Sequence, residues 1–140
     1  MLSKKTQYAF RALTHLAQNY GNGPVLISDI SETRNIPLKF LENILNELKK
    51  AGFLESKKGK GGGYVLKQPP KKITLASVIR IINGPIALLP CVSLNFYQRC
   101  EDCNEENCGF RKVMLMTRDA TLKILEKKTL ADIVKHELSF

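Results

Sequence analysis

The sequence predicts a mainly α chain with a small β-wing: a winged helix-turn-helix domain joined to a long dimerisation helix. Three observations predict it. Residues 25–67 read as a helix, a tight turn, a second helix and then a hairpin, whose basic, glycine-rich tip is Lys57-Lys58-Gly59-Lys60-Gly61-Gly62-Gly63-Tyr64. Residues 109–127 carry Phe110, Val113, Thr117, Ala120 and Ile124 at intervals of 3, 4, 3 and 4, as in a heptad seam. Residues 84–108, between the two, show no period and hold all four cysteines.

The first helix is expected over 5–20, where Tyr8, Ala9, Ala12, Leu13, Leu16, Ala17 and Tyr20 make one apolar stripe. Gly21-Asn22-Gly23-Pro24 ends it. Val25-Leu26-Ile27 reads as a short strand. Ser28 is the expected N-cap of a short second helix reaching Thr33 or Arg34. Asn35-Ile36-Pro37 is the turn, and Pro37 suits the first turn of the third helix. That helix runs to about Lys50 and buries Leu41, Ile44, Leu45 and Leu48. Lys49 and Lys50 complement its dipole, and Gly52 stands at its C-terminal cap. Phe53–Ser56 and Tyr64–Lys67 are the expected wing strands. Pro69-Pro70 marks the exit, Thr74 caps a fourth helix over 75–82, and Asn83-Gly84-Pro85 stops it. The seam helix is roughly 28 Å long at 1.5 Å per residue. With Met114, Met116, Leu122 and Leu125 it has more apolar surface than one small domain covers. Thr129 caps a final helix with Leu130, Ile133 and Val134. The expected organisation is a DNA-binding domain over 1–83, a cysteine-bearing sensor loop over 84–108, and the dimerisation and C-terminal helices over 109–140.

The chain has 140 residues, 44% of them hydrophobic, which allows a real core. No stretch is apolar enough to span a bilayer, and the start leads into an amphipathic helix rather than a signal peptide. A cytoplasmic location follows as the expectation. Net charge is +9, unevenly spread. Residues 1–72 hold 13 Lys and Arg against 5 Asp and Glu, a net of +8, whereas residues 73–140 hold 9 against 8, a net of +1. The N-terminal half is therefore the one that faces a polyanion.

Outward on the third helix stand Leu38, Lys39, Glu42, Asn43 and Asn46. The N-terminal part of a recognition helix meets base edges. Lys39 and Asn43 can donate to purine acceptors, and Glu42 can accept from cytosine N4. Phe40, if not wholly buried, can touch a thymine methyl. At the wing, Gly61 allows close approach, and Lys58 and Lys60 supply charge for phosphates or the minor groove. Lys4, Lys5, Ser28 and Tyr64 complete the expected DNA contacts. A nucleotide-binding loop is excluded, because no Gly-Lys-Ser/Thr closes the run, and Tyr64 stands where a dinucleotide fingerprint needs its last glycine. His15 and His136 lie far from the cysteines and read as structural or exposed, His136 beyond the last helix. No triad or carboxylate pair stands out, so no enzyme is expected.

The cysteines run Cys91-x8-Cys100-x2-Cys103-x4-Cys108. Clustering within eighteen residues favours a metal or redox site over a disulfide framework. Thiolates suit iron–sulfur clusters, zinc or Cu(I). The preferred expectation is an iron–sulfur cluster, with zinc and metal-free thiols as alternatives. Glu101, Asp102, Glu105 and Glu106 would attract cations and lower the potential of a bound cluster.

Several segments together resemble one family. They are Tyr8-Ala9-x-Arg11-Ala12-Leu13, Pro37-Leu38-Lys39-Phe40-Leu41-Glu42, Leu48-x-x-Ala51-Gly52, Gly59-x-Gly61-Gly62-Gly63-Tyr64-x-Leu66, Ile73-Thr74-Leu75, Gly84-Pro85 and Thr129-Leu130-Ala131-Asp132. Over about 130 residues the chain is similar to the Rrf-two family of bacterial transcription regulators. The resemblance implies a homodimer, a crossing dimerisation helix and a pseudo-palindromic double-stranded DNA operator. In sensing members it implies three cysteines holding a 2Fe–2S or 4Fe–4S cluster. Cys91 and Cys108 match the first and last of these, and Cys100 or Cys103 the middle one. Arg111 stands where some members place a histidine ligand, which leaves the additional cysteine as a replacement. The family's basic DNA contact on the wing corresponds to Lys58, and Lys39, Phe40, Glu42 and Asn43 match its helix contact region.

Overall fold

The computed structural model describes residues 2–138. The order is α1 (Lys4–Gln18), α2 (Ile27–Arg34), α3 (Leu38–Lys50), β1 (Leu54–Lys57), β2 (Gly63–Leu66), α4 (Leu75–Ile82), α5 (Gly109–Leu125) and α6 (Leu130–Leu138). Short 3-10 turns lie at Pro70–Lys72, Pro90–Val92 and Glu105–Asn107. The architecture is mainly helical, with one antiparallel pair of strands as the wing.

The helix ends follow local chemistry. Ser3 caps α1 by accepting the Thr6 N–H, and Thr74 caps α4 by accepting the Ser77 N–H. After α3, Gly52 takes φ +90°, with its N–H on the Lys49 carbonyl and the Phe53 N–H on the Leu48 carbonyl. This double bond pattern is a Schellman motif, and it turns the chain straight into β1. Three expectations shift here. Ser28 is not a cap, because α2 begins at Ile27 and the cap position is Leu26, whose side chain cannot accept. Pro37 precedes α3 as its cap residue rather than sitting in the first turn. Val25-Leu26-Ile27 is no strand; only a single bridge joins Val25 to Tyr64, through N···O distances of 2.9 and 2.8 Å.

That bridge explains one wing glycine. A Cβ on Gly63 would sit 2.3 Å from the Val25 carbonyl oxygen, so only glycine lets β2 run this close to the body. The strands pair Leu54 with Leu66 and Lys57 with Gly63, one residue later on β1 and one earlier on β2 than the pattern suggests.

The core gathers Ala9, Leu13 and Leu16 of α1, Ile30 of α2, Leu41, Ile44, Leu45 and Leu48 of α3, Leu54 and Leu66 of the wing, Ile73, and Val78 of α4. Leu130 is wholly buried in the same core, with Ile133 and Val134 packed against it. The final helix therefore folds back on the N-terminal half, where α6 lies along α1, instead of accompanying α5. Its start is fixed by the Leu130 N–H to Ile73 O and the Leu75 N–H to Lys128 O, at 3.0 and 2.9 Å. His136 is part of α6 rather than beyond it.

By contrast, α5 buries only Leu122. Phe110, Val113 and Ile124 are 62%, 54% and 60% exposed, and Ala120 is exposed with them. Thr117 is half-buried, and its hydroxyl turns back to the Val113 carbonyl. Among the described residues, no helix is long and apolar enough to cross a membrane.

Candidate nucleic-acid interface and cysteine cavity

On α3, Leu38, Lys39, Phe40, Glu42, Asn43 and Asn46 are all exposed. Neither α1 nor α3 has an acid in its first turn. No carboxylate therefore offsets the positive dipole end of either helix, which suits phosphate oxygens. The wing tip carries Lys58 and Lys60 into solvent. Among the described residues, neither these two nor Lys39 enters an ion pair. Gly61 holds φ +79° at the tip, a region that side-chain-bearing residues avoid. Tyr64 is half-buried, and its backbone belongs to the Val25 bridge.

The expected cations on α1 divide. Lys5 pairs with Glu47 of α3 and is thereby engaged within the chain. Lys4 instead stands 5.3 Å from the centre of the Tyr8 ring, with the Arg11 guanidinium 5.5 Å away. Tyr8 in turn meets Phe40 of α3, ring centres 6.5 Å apart and tilted by 49°. Arg11 was absent from the expected contacts. Its signal was its place three residues after Tyr8, on the same helix face. Ser28 is exposed within α2.

The tertiary fold brings all four cysteines to one cavity. Cys91, Cys100, Cys103 and Cys108 line a hollow of about 440 Å³ with Leu89, Pro90, Phe110 and Arg111. Cys91 is buried in its 3-10 turn and the others are half-exposed, all as free thiols. Hydrogen bonding to Cys100, loss of solvent, and then the charges of Cys100 and Cys108 push the Cys103 thiol up to about 12. Neighbouring thiolates repel, and a bound cation reverses that preference. Even so, among the described residues no three His, Cys, Asp or Glu side chains are gathered as a ready metal-binding set. The donor chemistry fits a thiophilic centre, while the ligand shell is not preassembled.

Two arginines tie this cavity to α5. Arg111 Nε donates to the Cys91 carbonyl at 3.3 Å, and Arg118 Nη1 donates to the Val92 carbonyl at 2.8 Å. Cys108 itself caps the helix, its Sγ accepting the Arg111 N–H at 3.4 Å. Glu105 orders the outer loop by accepting from the Tyr97 hydroxyl at 2.6 Å and the Cys100 N–H at 3.3 Å. The Tyr97 bond holds the Glu105 carboxyl below its ordinary value and raises the phenol. Nothing in the sequence signals the arginine ties, because their partners lie 20 and 26 residues away.

Residues 2–136 match the sequence model of the Rrf2 (Rrf-two) family, described as an iron-dependent transcriptional regulator. The chain is 37% identical to an Rrf2-like HTH-type transcriptional regulator of Rhodobacter capsulatus, over 96% of this chain and 92% of that protein. It is 30% identical to the HTH-type regulator CymR of Bacillus subtilis, over 96% and 90%. The solved structure of that CymR, the global cysteine regulator, superposes with a TM-score of 0.82, covering 97% of both chains. The IscR structure from T. potens superposes at 0.72 with 28% identity, over 98% of this chain and 88% of that one. These relatives are regulators and not enzymes. With its wing, its helix-turn-helix and this match over nearly its whole length, the chain belongs to the Rrf2 family of DNA-binding transcription regulators.

Proposed function

We propose that two copies of this chain form a homodimeric repressor in the cytoplasm, and that the cysteine cavity sets its affinity for a pseudo-palindromic operator through an iron–sulfur cluster. The carrying observation is that all four cysteines line one cavity at the foot of α5. Residues 1–83 read DNA, residues 84–108 sense, and α5 pairs with its counterpart. In each half-site α3 enters the major groove, with Lys39, Glu42 and Asn43 toward base edges. Lys58 and Lys60 of the wing, with Lys4 of α1, neutralise phosphates. The exposed Phe110, Val113, Ala120 and Ile124 supply the apolar seam, with Thr117 at its edge.

Cys91 and Cys108 would hold the cluster together with Cys100 and Cys103, one of these replacing the histidine that Arg111 displaces. A bound cluster supplies a redox-active, thiolate-ligated charge. This chain's own part is mechanical. Drawing the thiols together moves the Cys91 turn and the Cys108 cap, and both are bonded to α5. The spacing of two recognition helices then depends on the state of the cavity. A tenfold change in affinity needs only about 1.4 kcal/mol.

Protein purified without oxygen tests this directly. Visible thiolate-to-iron absorbance, with matching iron and acid-labile sulfide, is the expected result. Colourless, iron-free protein would discard the cluster and leave the DNA reading standing. In that case metal-free control becomes the answer, by thiol redox, a small molecule or a partner protein. The likeness to a cysteine regulator favours this second reading. On the DNA side, Lys58→Ala should weaken all sequences alike and lower the salt slope by about 1, whereas Glu42→Ala should chiefly alter base preference. Competition against single-base operator variants separates the two.

A further inference from the structure

The N-terminal end of α3 exposes apolar side chains. Phe40 is 58% exposed in the first turn of the helix, and Leu38 beside it is 46% exposed. Both stand in the half of the chain that carries a net of +8. A solvated helix face would not need a phenyl ring there, and the core does not use it. Phe40 is nevertheless not loose. The Tyr8 ring leans on it at 6.5 Å, and Tyr8 is itself flanked by the Lys4 ammonium and the Arg11 guanidinium. Lys5 and Glu47 also join α1 to α3. The result is an aromatic pair with two cations close to its Tyr8 ring, at the start of the recognition helix.

The bulkiest apolar base-edge feature of the major groove is the C5-methyl group of thymine. An exposed ring backed by Tyr8, with two cations beside Tyr8, matches a methyl group next to a phosphate. We infer that Phe40, positioned by Tyr8, reads a thymine methyl in each operator half-site, while Lys4 and Arg11 hold the adjoining phosphate. Lys39, Glu42 and Asn43 then read polar edges further into the groove. Tyr8 is a positioning residue, and Phe40 is a specificity determinant. The inference rests on the reading that α3 docks in the major groove.

The test uses the full chain and a duplex selected by it from a randomised pool. Each thymine of that duplex is replaced in turn by uracil, which removes the methyl and nothing else. One replacement per half-site should weaken binding about four-fold, the value of one buried methyl-sized group. With Phe40→Ala the same replacement should cost nothing. Tyr8→Ala should lose most of the discrimination, and Tyr8→Phe should keep it. Phe40 is exposed, so its truncation should leave thermal unfolding unchanged and the comparison valid. Arg11→Ala should weaken thymine and uracil duplexes equally. A selected duplex indifferent to every replacement would overturn the inference alone, and so would undiminished methyl discrimination in Phe40→Ala. A pool yielding no preferred duplex would overturn the docking of α3 and this inference with it.

Discussion

The winged-helix half and the segment from 84 to 125 obey the same chemistry with opposite outcomes. In the first, each apolar stripe finds a partner within the chain, so that Leu13, Ile30, Leu45 and even Leu130 of the distant α6 are sealed from water. In the second, α5 keeps Phe110, Val113 and Ile124 in solvent, and the loop before it has two single 3-10 turns for regular structure. The cysteine cavity lies within this second region. A self-sufficient half is built to stay the same, whereas a half that lacks its partners can be set by what it binds. On the proposed function, the region that reads DNA is the one with a closed core, and the region open to control is the one with exposed apolar surface.

Paired substitutions break or sharpen this contrast most strongly. Leu45→Ala should cost about 2–5 kcal/mol of folding stability in denaturant titrations, as expected for a buried leucine. Val113→Glu with Ile124→Glu should leave the fold intact and convert the sedimenting species from dimer to monomer. If that double variant unfolded, α5 would be core after all; if the unaltered chain already sedimented as a monomer, the seam would lose its role. Gly63→Ala comes next. Its new Cβ meets the Val25 carbonyl, so about 1–3 kcal/mol should be lost and the wing bridge weakened, with amide exchange at Val25 and Tyr64 accelerating.

A smaller effect is expected at the cavity. Cys108→Ala removes the sulfur that caps α5, and about 1 kcal/mol of local stability should go with it. Cys108→Ser, which keeps an acceptor, should restore most of this in hydrogen exchange of the first α5 turn. Unchanged exchange in both variants would cut the proposed link between cavity and helix.

The smallest prediction concerns pH and the winged-helix half. Arg34 joins α1, α2 and α6, donating to His15 Nδ1 at 3.5 Å, to Gln18 at 2.7 Å and to Glu137 at 3.3 Å. Burial, and then the Arg34 charge, hold the His15 imidazole below its ordinary value, with Asp29 opposing. The unfolded chain therefore takes up this proton first as pH falls. The associated stability is complete above the ordinary histidine value of 6.5 and is lost as pH drops from there toward the folded value. His15→Gln should flatten that slope in melting curves recorded across this window. An unchanged slope would assign the acid sensitivity elsewhere.

Much of this arrangement was legible one segment at a time. The stripe of α1, the Thr74 cap, the Gly52 stop and the glycine-rich wing each follow from residues within a few positions of one another. Helix periods, caps and turn glycines act over such distances, and a linear reading contains them. The cysteine cluster was equally visible as a spacing, though not as a shared cavity.

What the sequence alone determined, then, was the set of elements, the basic half and the chemistry of the thiols. The tertiary structure decided which of them meet. It sent α6 back to α1, reduced Val25–Ile27 to one bridge on Tyr64, engaged Lys5 with Glu47, and set Tyr8 against Phe40 with two cations close to the Tyr8 ring. It also placed the Arg111 and Arg118 side chains on the Cys91 turn. These contacts join residues tens of positions apart, where no periodicity operates. They are fixed by burying one shared core and satisfying the backbone groups around it.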